Sequence, residues 1–323
     1  MKVATNLYQI TLPTPFAVGP VHTYVLIEDT ISLFDAGVYT EEAWLCLQKE
    51  LHVLGLKLTD IDQIILTHHH PDHTGLVTYF EHTRPVIAHA YADMWLRRDE
   101  EYFTHYERFF TKTFASWGVP QALLESIPSW RGSLQLSGKG QVDISLKDFD
   151  SIPGHEGWLV LYTPGHAQSH LAFYHQKEGI LIGGDLLLTT GPSNPLLEGP
   201  YNSTNERVKP LVQYIHSLNR MKEMDIKKIL PGHGKVIEHV DEAIESRLQR
   251  INKKSMVAKK ILQQEKLSVY ELCLKLFPKQ TKSQLLLTMS QTIGYLDLLE
   301  ESGHVILKEQ SGLVRYQVVS PVS

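Results

Sequence analysis

The residues most able to do chemistry in this 323-residue chain stand together in the stretch THHHPDHTG, residues 67–75. It contains the spacing HxHxDH at His68, His70, Asp72 and His73, directly after the apolar run QIIL. A strand followed by a tight loop lets alternate side chains, His68 and His70, point at one metal ion. Asp72 and His73 can then turn toward a second ion, while alternation points His69 away. This spacing predicts a metal centre rather than four separate packing residues.

Three more metal-ligand residues follow along the chain, each at the end of an apolar run. They are His166 in TPGHAQSH, Asp185 in GILIGGD and His233 in ILPGHG. Strand ends can hold ligands rigidly, and imidazole nitrogens combined with carboxylates suit Zn²⁺ while also accepting Mn²⁺, Fe or Ni²⁺. We therefore predict two divalent metal ions as cofactors, with zinc as the first expectation.

The order of HxHxDH, a lone histidine, a GGD aspartate and a PGHG histidine resembles the metallo-β-lactamase superfamily over about residues 1–240. The resemblance implies one metal on His68, His70 and His166, another on Asp72, His73 and His233, and Asp185 as the bridge. A bridging carboxylate is typical of the hydrolase branches, whereas antibiotic-degrading members place Cys or Ser there. The plan is similar to the glyoxalase II-like group and, through its C-terminal addition, to the β-lactamase-like thioesterase and ribonuclease group.

The site itself suggests a mechanism of hydrolysis. Two neighbouring cations lower the pKa of a shared water, giving a bridging hydroxide, and polarise the oxygen of the group under attack. Asp72 is the predicted catalytic residue, which accepts a proton from the attacking water and passes it to the leaving group. The leading prediction is a dinuclear metallo-hydrolase that acts on an activated acyl compound, meaning a thioester, a lactone or an ester.

Three other functions remain open. The same two metals could hydrolyse phosphodiesters in RNA, although residues 1–239 carry an acidic excess that suits a polyanion poorly. A mononuclear iron persulfide dioxygenase shares much of the motif set and would consume oxygen. A non-enzymatic alternative is a DNA-binding regulator that retains the metal fold.

Several residues around the motifs have weaker signals. Asp35 in LFDAG ends an early strand and is predicted to support the histidine loop through hydrogen bonds. His170 is predicted either to support a ligand or to pack within a strand. His22, His155 and Tyr201 could reach the site from loops, but we interpret them as ordinary surface or packing residues.

The elements that must position these residues predict an α/β fold, a four-layer αββα sandwich, over residues 1–240. Two sets of short strands end in histidine or aspartate, which suggests two packed sheets with helices outside and the metal site at their common edge. Aromatic residues at helical spacing predict a helical lid insertion over about residues 91–130. Such a lid would both pack on the body and shape an apolar substrate pocket.

Residues 241–323 predict a small C-terminal winged-helix domain, because three helical segments precede two short strands around a Ser-Gly turn. The third helix, from Ser283 to Glu301, contains no Lys or Arg to contact phosphate. It carries an apolar stripe of leucines with Met289 and Ile293. We therefore expect the small domain to dock on the catalytic body or on a second subunit, as a homodimer, rather than on nucleic acid.

The overall composition fits an enzyme of the cytoplasm with a small-molecule substrate. The apolar fraction of 42% and the charged fraction of 21% exclude a disordered chain, and the net charge of −5 gives no chain-wide basic surface for nucleic acid. No signal peptide or membrane-spanning run is apparent. The two cysteines, Cys46 and Cys273, are far apart, which fits a reducing compartment.

Overall fold

A computed structural model gives the fold and describes residues 1–80, 83–125, 130–191, 193–201, 207–281, 283–310 and 312–319. Residues 126–129 of the predicted lid and residues 320–323 of the predicted winged-helix domain lie outside the described residues. Residue 311, the serine of the predicted Ser-Gly turn, also lies outside them.

The first sheet has seven strands that neighbour one another in chain order, β1 to β7. The first four strands pair antiparallel, and the last three join by parallel pairing. The strands are β1 (Lys2–Ala4), β2 (Leu7–Leu12), β3 (Val21–Ile27), β4 (Ile31–Phe34), β5 (Gln63–Ile65), β6 (Val86–His89) and β7 (Ile144–Leu146). Because β4, β5 and β6 are parallel, the residues that follow them lie along one edge of the sheet.

The second sheet has five strands in the order β12-β11-β10-β9-β8. Its pairs are antiparallel except β11 with β12. The strands are β8 (Ser151–Ile152), β9 (His155–Tyr162), β10 (Leu171–His175), β11 (Ile180–Gly184) and β12 (Lys228–Pro231). Strands β10 and β11 are buried along almost their whole length, as their continuous apolar sequences predict for strands covered on both faces.

A hydrophobic core fills the space between these two sheets. Phe34 of the first sheet meets Phe173 of the second edge to face, with ring centroids 5.2 Å apart, and Trp158 packs beside them. On the outer face of the first sheet lies helix α1 (Glu41–Val53), which buries Ala43, Leu47 and Leu51. This is the apolar face that the helical spacing predicts.

The remaining helices connect the strands or follow the second sheet. They are α2 (Pro71–Thr74), α3 (Tyr91–Arg97), α4 (Glu100–Ser116), α5 (Gln121–Leu124), α6 (Pro210–Lys222), α7 (Val240–Gln264), α8 (Val269–Leu276) and α9 (Leu285–Glu301), with short 3₁₀ turns at Leu58–Asp60, Gly75–Phe80 and Trp130–Gln135. The end of α6 lies along the second sheet, where Arg220 donates to the Tyr162 carbonyl and pairs with Asp148 at 2.8 Å. Helix, sheet, sheet and helix therefore follow one another as four layers, as predicted.

The chain divides into two compact units. The first unit, Met1–Asp99, Ser129–Ser193 and Ser217–Ala243, contains both large sheets. The second unit, Glu100–Pro128, Asn194–His216 and Ile244–Ser323, groups the lid helices α4 and α5 with the C-terminal elements. The domain limits 1–240 and 241–323 stay predictions. The units group the lid helices α4 and α5 with the C-terminal elements, whereas the predicted domain 1–240 included them.

The second unit is built on aromatic and apolar helix faces. Helix α4 buries the aromatic stripe that its sequence predicts, including Tyr106, Phe110 and Phe114. Helices α7, α8 and α9 are followed by the antiparallel pair β13 (Val305–Gln310) and β14 (Leu313–Val318). These are the elements expected at the C-terminus, and their assignment to a winged helix stays a prediction.

Candidate metal centre

The histidine loop begins two residues after β5 and turns sharply at α2. Pro71 takes the first position of α2, where its fixed φ favours a helical turn and its missing N–H leaves no bond unmade. The turn brings Asp72 and His73 back toward the strand end, and both side chains are buried. His69 faces away and stacks on Trp95, with centroids 4.3 Å apart, as strand alternation predicts.

One group of three histidine nitrogens converges at the common edge of the sheets. His70 Nδ1 lies 3.0 Å from His68 Nε2 and 2.9 Å from His166 Nε2. His68 and His70 come from the first sheet and His166 from the loop between β9 and β10 of the second. The three atoms lie close enough together to bind one metal ion.

A second group joins Asp72, His73 and His233. His233 Nε2 lies 3.1 Å from Asp72 Oδ2, and His73 Nε2 lies 4.0 Å from Asp72 Oδ1. The ligand atoms of these three buried residues could also hold one metal ion. His233 follows β12, so this group again uses the ends of strands from both sheets.

Asp185, which follows β11, reaches both groups with its carboxylate. Its Oδ1 lies 3.5 Å from His73 Nε2, and its Oδ2 lies 3.5 Å from His166 Nε2 and 3.8 Å from His233 Nε2. The structure thus brings together all seven residues that the sequence selected as ligands. Gly232 makes this approach possible, because a Cβ there would clash with Asp185 Oδ1 and lie 2.8 Å from His73 Cε1.

The hydrogen bonds around the site orient the metal-binding nitrogens of the histidines toward its centre. His73 Nδ1–H donates to Asp35 at 2.8 Å, and His233 Nδ1–H donates to the Pro20 carbonyl at 2.8 Å. Each ring therefore keeps the lone pair of its Nε2 for the centre. Among the described residues, His73 Nε2 and Asp185 Oδ1 are buried without a hydrogen-bond partner, which a bound cation would satisfy.

Asp35 supports the histidine loop from beneath, as predicted. Its carboxylate accepts from the Thr67 N–H at 2.7 Å and from the Thr67 hydroxyl at 2.8 Å. Because that hydroxyl proton goes to Asp35, the neighbouring His68 Nδ1–H must donate to Thr67 Oγ1, which orients His68 Nε2 inward. Asp35 takes the left-handed conformation, φ +61°, which is strained for a residue with a side chain.

The electrostatics of the site favour a positive charge. Burial alone would lower the pKa of His73, but surrounding carboxylates raise it to about 10; they are Asp35, Asp185 and Asp72. Burial raises the pKa of the Asp72 carboxyl, yet His73 and His233 beside it outweigh that effect and lower the pKa overall. Three carboxylates around one imidazole thus create a site that attracts cations.

The structure also assigns contacts to residues that the sequence left undecided. His170 accepts from the Asp185 N–H at 3.1 Å through Nε2 and donates to Thr163 Oγ1 at 2.8 Å through Nδ1, so it supports a candidate ligand. His155 lies on β9 rather than in a loop and contacts Glu28 and Ser32, outside both ligand groups.

His22 was interpreted as an ordinary residue, and the structure places it against the His233 loop. Its ring nitrogen Nε2 lies 2.7 Å from the Gly234 carbonyl. The two residues are more than 200 positions apart in the chain, so no local pattern could have revealed the contact. Tyr201 lies in the second unit, where its hydroxyl donates to Glu198 at 3.3 Å.

The fold and the site define a metallo-hydrolase, and the chain belongs to the metallo-β-lactamase superfamily, whose family model matches residues 17–233. It is 38% identical over 295 residues to YqjP of Bacillus subtilis, a probable metallo-hydrolase. The matched region covers 91% of this chain and 92% of YqjP. A metallo-β-lactamase family protein from Thermus thermophilus superposes with a TM-score of 0.81 at 28% identity, covering 97% of this chain and 99% of the other.

A more distant relative is an atrochrysone carboxyl ACP thioesterase of Aspergillus fumigatus, 29% identical over 112 residues. That match covers 34% of this chain and 31% of the thioesterase.

Among the described helices, none combines the length and the apolar character needed to cross a membrane.

Proposed function

We propose that the protein is a dinuclear metal-dependent hydrolase of activated acyl compounds, meaning thioesters, lactones or esters, with zinc as the expected metal. One observation carries the dinuclear part of the proposal. The Asp185 carboxylate lies within 3.8 Å of histidines from both ligand groups, so it could bridge two ions. A single-metal site would have no need of the second group, Asp72, His73 and His233.

When bound, two such cations would supply a hydroxide nucleophile and polarise the carbonyl under attack. The chain's own residues then have defined tasks. Asp72 is the proposed proton carrier. We assign the proton to its Oδ1, which lies 4.0 Å from His73 Nε2. The His73 and His233 rings are held by hydrogen bonds on their outer nitrogens and therefore keep their orientation while that proton moves.

Two observations support an acyl substrate over a phosphodiester. Over part of its length the chain is similar to a protein that is named a thioesterase, and a thioester is an activated acyl compound. The acidic excess of residues 1–239 would repel a polyanionic RNA. We therefore propose a small-molecule acyl substrate as the partner of the site and no nucleic acid.

The test combines metal analysis with a substrate panel. The purified protein is measured for metal content by mass spectrometry, stripped with a chelator and reloaded with Zn²⁺, Mn²⁺ or Fe²⁺. Each form is assayed on matched thioesters, lactones and phosphodiesters and for oxygen consumption with a persulfide. We expect two metal equivalents and the highest activity on an acyl substrate. One iron equivalent with oxygen uptake, or salt-sensitive cleavage of RNA alone, would overturn the proposal.

A further inference from the structure

His22, the second residue of β3, contacts the loop that carries His233 on both sides of that ligand. Its backbone N–H donates to the Gly232 carbonyl at 2.7 Å, and its ring Nε2–H donates to the Gly234 carbonyl at 2.7 Å. The two residues that flank His233 are therefore both fastened to one residue of the neighbouring sheet.

The ring of His22 is itself fixed in one tautomer. A carbonyl oxygen can only accept, so the Nε2 that faces Gly234 must carry the proton. The other nitrogen, Nδ1, then accepts from Gln9 Nε2 at 3.1 Å and from Thr11 Oγ1 at 3.0 Å. With the side chain buried, both ring nitrogens have a partner and the ring has no alternative orientation of equal energy.

Two neighbours of His22 extend the same set of contacts. The Pro20 carbonyl accepts from His233 Nδ1–H at 2.8 Å, and the Tyr24 hydroxyl donates to the Pro231 carbonyl at 2.7 Å. Alternate residues of one extended segment thus hold four successive residues, from Pro231 at the end of β12 to Gly234 in the loop.

The loop needs such support because of its own sequence. His233 stands between two glycines, which restrict the backbone least of all residues, and Gly234 takes the left-handed conformation with φ +84°. Without contacts from outside, the backbone of His233 would sample many conformations. A metal would then have to order the loop as it binds, and its affinity would fall.

We infer that His22 is a positioning residue that holds His233 in place for the ion of the second ligand group, Asp72, His73 and His233. The inference rests on the proposed dinuclear function. The hydrogen bonds of His22 fasten the loop of His233 and no ligand of the first group, His68, His70 and His166. Loss of its ring donor should therefore weaken one metal ion selectively.

The test uses two amide variants that differ by one methylene. In His22→Gln the amide nitrogen can take the place of Nε2 and donate to Gly234, whereas in His22→Asn it is too short to reach. Metal-free protein is titrated with Zn²⁺ by calorimetry in the full chain. We expect His22→Asn to weaken one of two binding steps by roughly 10-fold, the scale of losses from residues that orient ligands, and His22→Gln to restore it.

A control removes a different buried histidine. His155→Gln alters the contacts with Glu28 and Ser32, outside both ligand groups, and should leave both binding steps unchanged. The inference would be overturned if His22→Asn weakened both Zn²⁺-binding steps equally or weakened neither. It would also be overturned if His22→Gln showed the same loss as His22→Asn.

A second measurement separates this inference from the proposed function. If the wild-type chain binds one Zn²⁺ only, the dinuclear proposal fails, and amide exchange of residues 232–236 in the metal-free protein then decides the role of His22. Faster exchange in His22→Asn than in His22→Gln supports positioning of the loop. Equal exchange in both variants overturns it.

Discussion

Asp185 is a residue whose loss should affect both metal ions. Its two oxygens face His73 on one side and His166 and His233 on the other. A neutral amide cannot neutralise two cations, so we expect Asp185→Asn to lower the occupancy of both ions together. Metal content after dialysis against dilute chelator measures this. Two full equivalents retained in the variant would refute the bridging role.

Asp72 should behave differently, because it belongs to one ligand group only. Asp72→Ala removes a candidate ligand beside His233 and the proposed proton carrier together. We expect the second ion to be lost first and kcat to fall by more than about 100-fold, while the first ion stays bound. Turnover near the wild-type rate in the zinc-loaded variant would contradict the mechanism.

His89 offers a test of pH dependence away from the metal ligands. It ends β6, stacks on Tyr162 with centroids 4.7 Å apart, and accepts from the Tyr91 N–H at 3.2 Å. Burial lowers the pKa of His89 from 6.5 to about 4. Between these values the unfolded chain binds a proton that the folded chain does not, so acidification favours unfolding.

His89→Phe keeps the stacking and removes this titration. We expect the free energy of unfolding of the wild type to fall by about 2 kcal/mol more than that of the variant between pH 7 and pH 5. Urea unfolding of metal-free protein at both pH values measures the difference. Parallel losses in the two proteins would show that His89 is not kept neutral by the fold.

For single residues, the sequence predicted the candidate ligands that stand close together or follow an apolar strand. The HxHxDH loop and the three later candidate ligands could be found because strand alternation and strand ends are local properties. The fastening residues could not, since Pro20, His22 and Tyr24 meet partners more than 200 positions away. Their types, a carbonyl, an imidazole and a phenol, suit ordinary packing equally well.

Among the elements, helix α8 depends on a reciprocal cap at its first turn. Ser268 Oγ accepts from the Glu271 N–H at 3.2 Å, and Glu271 Oε2 accepts from the Ser268 N–H at 2.7 Å. We expect Ser268→Ala to lower the free energy of unfolding by about 1 kcal/mol. Ser268→Thr, which keeps the hydroxyl acceptor, is the matched control, and equal losses in both variants on urea unfolding would contradict the role of the cap.

Helix α9 shows what periodicity could and could not predict. The leucines with Met289 and Ile293 gave one apolar stripe, and those two residues are buried. Positions outside the apolar stripe are packed as well: Asp297, at the edge of the stripe, forms a bidentate pair with Arg207, and Gly294, on the far side, allows Leu211 to approach so closely that a Cβ would clash. Asp297, an acidic residue of this helix, thus has a structural partner inside the second unit.

For the whole molecule, the second unit predicts the effect of truncation. Arg207 and Trp117 precede residue 240, yet they bind Asp297 and the Tyr270 N–H, respectively. A chain that ends near residue 240 would leave this arginine without its ion-pair partner and expose apolar helix faces. We expect it to aggregate or change its oligomeric state on size exclusion with light scattering. A truncated chain with unchanged size and activity would contradict this.

The same burial leads to a prediction about DNA. A helix covered on all sides cannot enter a major groove, and α9 contains no Lys or Arg for phosphate contacts. We expect the full chain to show no sequence-selective affinity for DNA in a gel shift at physiological salt. A selective, tight complex would show that another surface of the molecule reads DNA.

The stacking of His69 on Trp95 gives the histidine loop a built-in optical label. Indole emission depends on the groups in contact with the ring, and this indole lies within 4.3 Å of a residue flanked by two candidate ligands. The chain has five tryptophans, so subtracting the spectrum of Trp95→Phe isolates its contribution. Movement of the loop during metal loading could then be followed in real time by fluorescence, with no dye attached.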